Sequence, residues 1–243
     1  MTLRWHTCFN LSAMLCVSAA MLAAASVSGT VQLKDSSLDS VNKRKDYSGV
    51  VVSLTPVNQA APSPPAKHAL MLQKNKVFTP HILPVVAGTT VDFPNSDPIF
   101  HNAFSSYSGQ IFDVGLYPPG TSKSVRFVRP GVVRVFCNIH PSMSSVILVL
   151  NTHFFTSTDK DGSFQLNVPP GIYDLNVFHE RSTETTLRNL TQRVVVTEEP
   201  VKVLQQPVIV SEGGFIPAPH KNKYGKEYAP TPDDKSVYPG VRN

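Results

Sequence analysis

Almost every apolar stretch of this chain is short and ends at a residue that interrupts regular structure. The stretches are rich in Val, Ile, Phe and Thr and are bounded by Gly, Pro, Asn or Asp, a pattern typical of strands. Only residues 181–193 approach the 3.6-residue period of an amphipathic helix. The chain is therefore predicted to be all-β. The clearest predicted strands are 50–54, 90–93, 124–127, 132–136, 146–150, 163–166, 173–178 and 194–196.

The N-terminal segment 1–25 has the pattern of a secretory signal peptide. Arg4 gives a short basic start, and the apolar run 11–25 ends in small alanines. This run is too short and too rich in Ala and Ser for a stable membrane anchor. We therefore expect export to the periplasm, cleavage near Ala25 and no membrane span after cleavage.

Cleavage there would leave one cysteine. Cys8 and Cys16 lie in the signal segment, so Cys137 would have no partner for a disulfide bond. A lone thiol in an oxidising compartment is unusual. Two interpretations stay open at this point, a buried inert thiol and a thiolate that binds a metal ion.

The charge of the chain gives no reason to expect nucleic acid as a partner. The formal net charge is +5 at neutral pH, and Arg4 would be lost with the signal segment. The remaining basic residues form no block of the kind that binds phosphate backbones. We predict no nucleic-acid partner.

Three candidate metal donors lie in one short loop between two predicted strands. Cys137, His140 and Met143 can reach a common ion if the loop curls around it. His101, in a polar segment after an earlier strand, is the best candidate for a second imidazole. Two histidines, a thiolate and a more distant methionine form the ligand set that selects copper. Zinc accepts the same Cys and His donors but rarely uses Met.

These residues resemble the cupredoxins, most closely the amicyanin-like or methylamine-utilisation type, whose ligand loop runs Cys-x-x-His-Pro-x-Met. The similarity covers residues 76–150 and includes the run 85–95 that leads to the first histidine. It implies a Greek-key barrel with one type 1 copper ion as cofactor. It also implies that Asn102 supports the thiolate by hydrogen bonding. Ile139 departs from the family, which commonly has Pro before the loop histidine.

A second resemblance covers the region after the metal motif. The Asp-Lys-Asp-Gly sequence at 159–162 predicts a hairpin turn, because Asp tolerates turn geometry and Gly supplies a positive φ. With Pro-Pro-Gly at 169–171, it resembles the carboxypeptidase-regulatory or transthyretin-like β-sandwich. Such domains usually open with two Gly-containing strands, and the similar runs 28–33 and 48–54 precede the metal motif. We therefore hypothesise that the metal domain is inserted into the sandwich.

Composition changes mark the expected domain boundaries. The Pro-rich run 59–65 cannot lie inside a sheet, and from Ser211 onward Gly, Pro, Lys and Tyr dominate without a strand pattern. The predicted order is a signal peptide (1–25), the opening strands of the β-sandwich (26–66), a cupredoxin-like copper domain (67–151), the remainder of the sandwich (152–210) and a disordered C-terminal tail (211–243).

The ligand set favours a one-electron carrier rather than an enzyme. A type 1 copper site moves one electron with little rearrangement and has no open position for a substrate. Redox proteins are the expected partners, docking at the apolar rim that Phe100, Ile139 and Pro141 would form. Two alternatives stay open: a copper storage or delivery protein, and a carbohydrate- or protein-binding sandwich with a structural metal site.

Overall fold

The computed structural model describes residues 25–58, 68–106, 109–198, 201–216 and 220–228. The predicted signal peptide, apart from Ala25, and the predicted linker 59–65 lie outside these residues. In chain order the elements are β1 (Ala25–Lys34), α1 (Asp39–Asn42), β2 (Val51–Pro56), β3 (His68–Leu70), β4 (Leu72–Lys74), β5 (Val77–Thr79), β6 (Ile82–Val86), β7 (Thr89–Pro94), β8 (Phe104–Ser105), β9 (Phe112–Asp113), β10 (Ser122–Phe127), β11 (Gly131–Phe136), β12 (Ser144–Leu150), β13 (Phe155–Ser157), β14 (Ser163–Val168), β15 (Gly171–Phe178), α2 (Glu184–Asn189), β16 (Gln192–Val196), β17 (Val201–Val203) and β18 (Val208–Ser211).

The prediction of an all-β chain is confirmed. Each of the clearest predicted strands coincides with an observed strand, within a few residues at its ends. The weak helical pattern at 181–193 contains the short helix α2, which begins after Thr183, whose side chain accepts a hydrogen bond from Thr186 N. Among the described residues, no helix is long and apolar enough to cross a membrane.

Two facing sheets form the first layered unit. In one sheet β1 pairs antiparallel with β14 and parallel with β17 and β18. In the other the strand order is β13-β2-β15-β16. In β14 one face is buried, because its residues alternate between buried and exposed, whereas the first four residues of β2 are all buried. The core between the sheets contains Val27, Val31, Val50, Val52, Leu54, Phe164, Leu166, Leu175, Val177, Val194 and Val210, among other apolar residues.

The turn predicted at 159–162 forms, but it does not join a two-stranded hairpin. Gly162 adopts a φ of +83°, and its N–H donates to the Asp159 carbonyl. The strands on either side, β13 and β14, pair with β2 and β1 respectively and so lie in different sheets. The hairpin prediction is therefore wrong, because pairing with β1 takes β14 into the opposite sheet.

A second set of sheets follows within residues 68–150. One has the order β10-β7-β3, another the order β6-β12-β11-β8-β9, and β4 pairs with β5. Their shared core contains Met71, Phe78, Val91, Phe93, Tyr117, Phe127, Val133, Val135, Cys137, Met143 and Ile147. The antiparallel pair β11 and β12 ends at Phe136 opposite Ser144, so residues 137–143 form the connecting loop at that end of the sheet.

The strands that precede this second set pair only with strands that follow it, among the residues the structure describes. β1 pairs with β14, β17 and β18, and β2 pairs with β13 and β15. The chain thus leaves the first unit after β2, builds the sheets of residues 68–150 and returns to the first unit at β13. The sheets of residues 68–150 thus lie in sequence between strands that pair with each other.

The predicted disordered tail begins at Ser211, which is the last residue of β18. Within this tail, residues 220–228 make hydrogen bonds to the loop 137–143. The disorder of the tail stays a prediction. Residues 229–243 of the predicted tail lie outside the described residues.

Candidate metal centre

Three of the predicted ligands meet at the end of the β11–β12 pair. The ligand atoms of His101, Cys137 and His140 all lie within 4.8 Å of one another. The Cys137 Sγ atom is 4.0 Å from His101 Nδ1 and 3.6 Å from His140 Nδ1. His101 and Cys137 are fully buried, and His140 is 8% exposed. The site is therefore a closed pocket of one thiol and two imidazoles.

Backbone pairing and a carboxylate fix the orientation of His101. Its N–H and carbonyl exchange hydrogen bonds with those of Tyr117 across an isolated bridge. Its ring Nε2 lies 2.7 Å from Asp97 Oδ2, which leaves Nδ1 directed toward Cys137. A carboxylate on one ring nitrogen holds the proton there and presents the lone pair of the other nitrogen to a metal.

Both carboxylate oxygens of Asp97, a residue that the sequence did not point to, accept hydrogen bonds. Its Oδ1 accepts the Asn75 N–H at 2.5 Å, and its Oδ2 accepts the Lys76 N–H at 2.8 Å. Burial acts to raise the pKa of Asp97, but the hydrogen bonds from Lys76, His101 and Asn75 outweigh it and lower the pKa. For His101 burial dominates, and its pKa is lowered despite the carboxylate. A neutral imidazole is the form that binds a metal.

The buried surroundings of Cys137 disfavour the charged thiolate in the absence of a nearby positive charge. Burial raises the pKa of Cys137, while the backbone N–H groups of Ile139, Asn102 and His140 act to lower it. A thiol of this kind stays protonated by itself and gives up its proton to a metal ion. Of the two readings of the lone cysteine, this environment favours the metal ligand, because two imidazoles share the pocket with the sulfur.

Asn102 ties the segment that carries His101 to the ligand loop. Its side-chain oxygen accepts the Asn138 N–H at 3.2 Å, and its side-chain nitrogen donates to Asp113 Oδ1 at 2.8 Å and to the Gly115 carbonyl at 3.0 Å. Its own backbone N–H acts on the Cys137 thiol. Asn102 thus joins the segment that carries His101 to the first residue after Cys137.

Met143 closes the loop. It is fully buried in the core of the sheets of residues 68–150, three residues after His140. The Met143 N–H donates to the His140 carbonyl at 3.0 Å, and the Cys137 N–H donates to the Met143 carbonyl at 3.2 Å. The loop therefore curls back on itself, as convergence of its donors on one point requires.

The donors present suit a soft or borderline metal ion. One thiolate and two imidazoles are ligands for copper or zinc, whereas calcium and magnesium prefer oxygen. The described residues contain no second cluster of three or more His, Cys, Asp or Glu side chains that could hold an ion. The chemistry of this pocket thus fits a single transition-metal site.

The predicted apolar rim lies beside the pocket. Phe100 is 41% exposed, Pro141 is exposed and Ile139 is partly buried. Residues 220–228 hydrogen-bond the backbone of the ligand loop at Cys137 and Pro141, a contact that the sequence did not predict. The sequence signals for the two features that were not predicted are weak. For Asp97 the signal is its four-residue spacing from His101, and for residues 220–228 it is the aromatic residues within a polar tail.

Comparisons with known proteins find similarity only among solved structures. No family model and no curated protein matches the chain. A purple cupredoxin from Nitrosopumilus maritimus is 23% identical, with a TM-score of 0.32, and the match covers 34% of this chain and 99% of that one. Amicyanin from Paracoccus versutus is 21% identical, with a TM-score of 0.33, over 41% of this chain and 97% of that one.

A copper-containing nitrite reductase from Thermus scotoductus is also similar. It is 25% identical, with a TM-score of 0.34, and the match covers 40% of this chain and 25% of the reductase. The solved structures that this chain resembles therefore include cupredoxins, and each of these three matches covers less than half of the chain.

Proposed function

We propose that this protein binds one type 1 copper ion and carries single electrons between partner proteins. His101, Cys137, His140 and Met143 are the proposed ligands. The observation that carries the proposal is the pocket itself, in which a thiol and two imidazole Nδ1 atoms lie within 4.8 Å of one another. Bound copper would supply reversible one-electron chemistry.

The chain's own residues keep this pocket in one arrangement. Asp97 holds the His101 ring, the Asn102 side chain holds the loop at Asn138, and the loop closes on itself at Met143. Fast one-electron transfer requires that the ligands move little between the two oxidation states. A pocket whose donors are fixed by packing and hydrogen bonds supports a carrier, and its burial gives a substrate no access to the donors. We therefore propose that the protein is not an enzyme.

The proposed setting is the periplasm, with redox proteins as partners. This part of the proposal rests on the signal-peptide pattern of residues 1–25 and on the apolar rim beside His140. Electrons would pass through the rim, because there the ligand loop comes closest to a partner. Pro141→Glu would place a charge in the rim without touching a proposed ligand.

The rim has a direct test. We expect Pro141→Glu to slow electron exchange with a redox partner, measured by stopped-flow absorption, while the visible spectrum stays as in the unmodified protein. Lys45→Gln, which makes the same one-unit charge change at an exposed position of the first unit, is the control. An exchange rate that Pro141→Glu leaves unchanged would exclude docking at this rim.

The copper proposal is tested by adding Cu(II) to the metal-free protein. We expect one equivalent to bind and to produce a strong visible thiolate-to-copper absorption that Cys137→Ser abolishes. A reversible potential then identifies a carrier, whereas a site that holds only Cu(I) identifies a storage or delivery protein. Absence of copper binding would contradict both and favour the binding-module alternative.

A further inference from the structure

Residues 220–228, here called the clasp, lie across the backbone of the ligand loop. The Tyr228 hydroxyl donates to the Cys137 carbonyl at 2.9 Å, and His220 Nε2 donates to the Pro141 carbonyl at 2.8 Å. These carbonyls belong to a ligand residue and to the residue directly after the ligand His140. The clasp therefore holds both halves of the loop.

Ring packing holds the two ends of the clasp together on the metal domain. The His220 ring stacks on the Phe136 ring with centroids 4.0 Å apart and an angle of 24° between the planes. The Tyr228 ring meets the His220 ring edge to face at 5.2 Å. Because Phe136 is the last residue of β11, this packing places the clasp where the ligand loop begins.

The middle of the clasp joins the network around Asn102. The Lys223 N–H donates to Asn138 Oδ1 at 3.0 Å, and Lys223 Nζ pairs with Asp113 Oδ2 at 2.7 Å. Asp113 also accepts from the Asn102 side chain, which in turn accepts from the Asn138 N–H. Lys223 thus completes a ring of contacts that joins the ligand loop to the segment bearing His101.

Hydrogen bonds within the clasp also form a turn. Asn222 Oδ1 accepts the N–H groups of Tyr224 and Lys226, and the Asn222 N–H donates to the Lys226 carbonyl. Gly225 takes a φ of +72°, which a residue with a side chain rarely adopts. This turn brings His220 and Tyr228 side by side, so ordering the clasp on the loop costs less conformational entropy.

We infer that the clasp keeps the ligand loop closed and slows the loss of the bound ion, with Tyr228, His220 and Lys223 as positioning residues. The loop must open for a buried ion to leave. The clasp makes hydrogen bonds to the loop at the Cys137 and Pro141 carbonyls and at the Asn138 side chain. The ion-loss part of the inference rests on the proposed copper site. The loop-closure part applies equally to the metal-free protein.

Tyr228→Phe in the full chain is the main test, because it removes one hydroxyl and keeps the ring. The matched control is Tyr173→Phe, which removes a hydroxyl that donates to the Pro169 carbonyl at 2.8 Å in the first unit, outside the clasp and the ligand loop. In the metal-free protein, we expect Tyr228→Phe to speed amide hydrogen exchange in residues 137–143 about five-fold, the effect of losing one hydrogen bond. The control is expected to match the unmodified protein.

The copper-loaded protein gives the second readout. Transfer of copper to a chelator is expected to be about five-fold faster in Tyr228→Phe and unchanged in Tyr173→Phe. Lys223→Met is also expected to speed both hydrogen exchange and ion loss, and Lys223→Arg, which keeps a cation beside Asp113, to restore much of the difference.

The outcomes separate this inference from the copper proposal. Loop exchange and ion-loss rates in Tyr228→Phe equal to those of Tyr173→Phe would overturn the inference about the clasp. Failure of the unmodified protein to bind copper would overturn the proposed function, and loop exchange in the metal-free protein would still decide whether the clasp closes the loop.

Discussion

Asp97→Asn probes the support of the candidate site through a single atom. The carboxylate accepts three hydrogen bonds, from the Asn75 N–H on Oδ1 and from the Lys76 N–H and the His101 ring on Oδ2. An amide has only one oxygen, so at least one of these donors would face an NH2 group. An unsatisfied buried donor costs about 1–3 kcal/mol.

The same change removes the carboxylate charge that orients the His101 ring. Loss of a carboxylate that orients a ligating histidine typically weakens metal binding about 10- to 100-fold, which equals about 1.4–2.8 kcal/mol. We therefore expect Asp97→Asn to lower copper affinity by this factor in a competition titration with a chelator. In urea unfolding of the metal-free protein, we expect a loss of about 1–3 kcal/mol.

Asp92→Asn is the matched control for this prediction. Asp92 Oδ2 lies 2.8 Å from His68 Nδ1, so the protein contains a second Asp–His pair in the same domain. The His68 side chain is 69% exposed and lies outside the metal cluster. Copper affinity within two-fold of the unmodified protein in both variants, a margin of about 0.4 kcal/mol, would refute the reasoning about Asp97.

Three further changes test other parts of the structure. His81 Nε2 lies 2.5 Å from Glu180 Oε2, a contact between the sheets of residues 68–150 and the first unit. The hydrogen bond to Glu180 raises the pKa of His81, while for Glu180 burial acts upward but the bond and the charge of His81 lower the pKa. The Glu180 contribution is lost as pH falls through its lowered pKa, and the His81 contribution is lost as pH rises through its raised pKa. In urea unfolding, Glu180→Gln should therefore lose most free energy of unfolding between pH 4.5 and pH 6.5, the ordinary pKa values of the two groups. The loss should stay below about 1 kcal/mol, because the His81 side chain is 54% exposed. A loss that does not change with pH would contradict this. Gly162→Ala would place a Cβ 2.0 Å from the Val31 carbonyl oxygen at a positive φ, so thermal or urea unfolding should show a loss of more than about 1 kcal/mol, and an unchanged midpoint would exclude this close approach. Met143→Leu keeps the buried volume and should lower the free energy of unfolding of the metal-free protein by less than about 1.5 kcal/mol. It should nevertheless shift the reduction potential of the bound copper in voltammetry. An unshifted potential would exclude Met143 as a ligand.

The sequence predicted the long strands because their signal is local. Runs such as those in β7, β11 and β12 contain enough alternating or continuous β-branched residues to be recognised alone. β8 and β9 have two residues each, and β3 has three. Segments this short form strands only because a neighbour pairs with them, so their own residues carry too little information.

The ligand loop was predictable for a different reason. Cys137, His140 and Met143 are close in sequence, so their spacing alone indicates convergence on one point. Asp97 and Tyr228 act on the loop from distant positions through single hydrogen bonds. Such contacts depend on how the sheets and the C-terminal segment are arranged in space, and one sequence does not encode that arrangement in any local pattern.

X-ray absorption at the copper edge of the loaded protein measures directly whether one sulfur and two imidazoles bind the same copper ion. We expect one short-bonded sulfur and two imidazole rings around the ion, with the short sulfur lost in Cys137→Ser. A spectrum with only oxygen and nitrogen neighbours, or one that Cys137→Ser leaves unchanged, would exclude the proposed copper site.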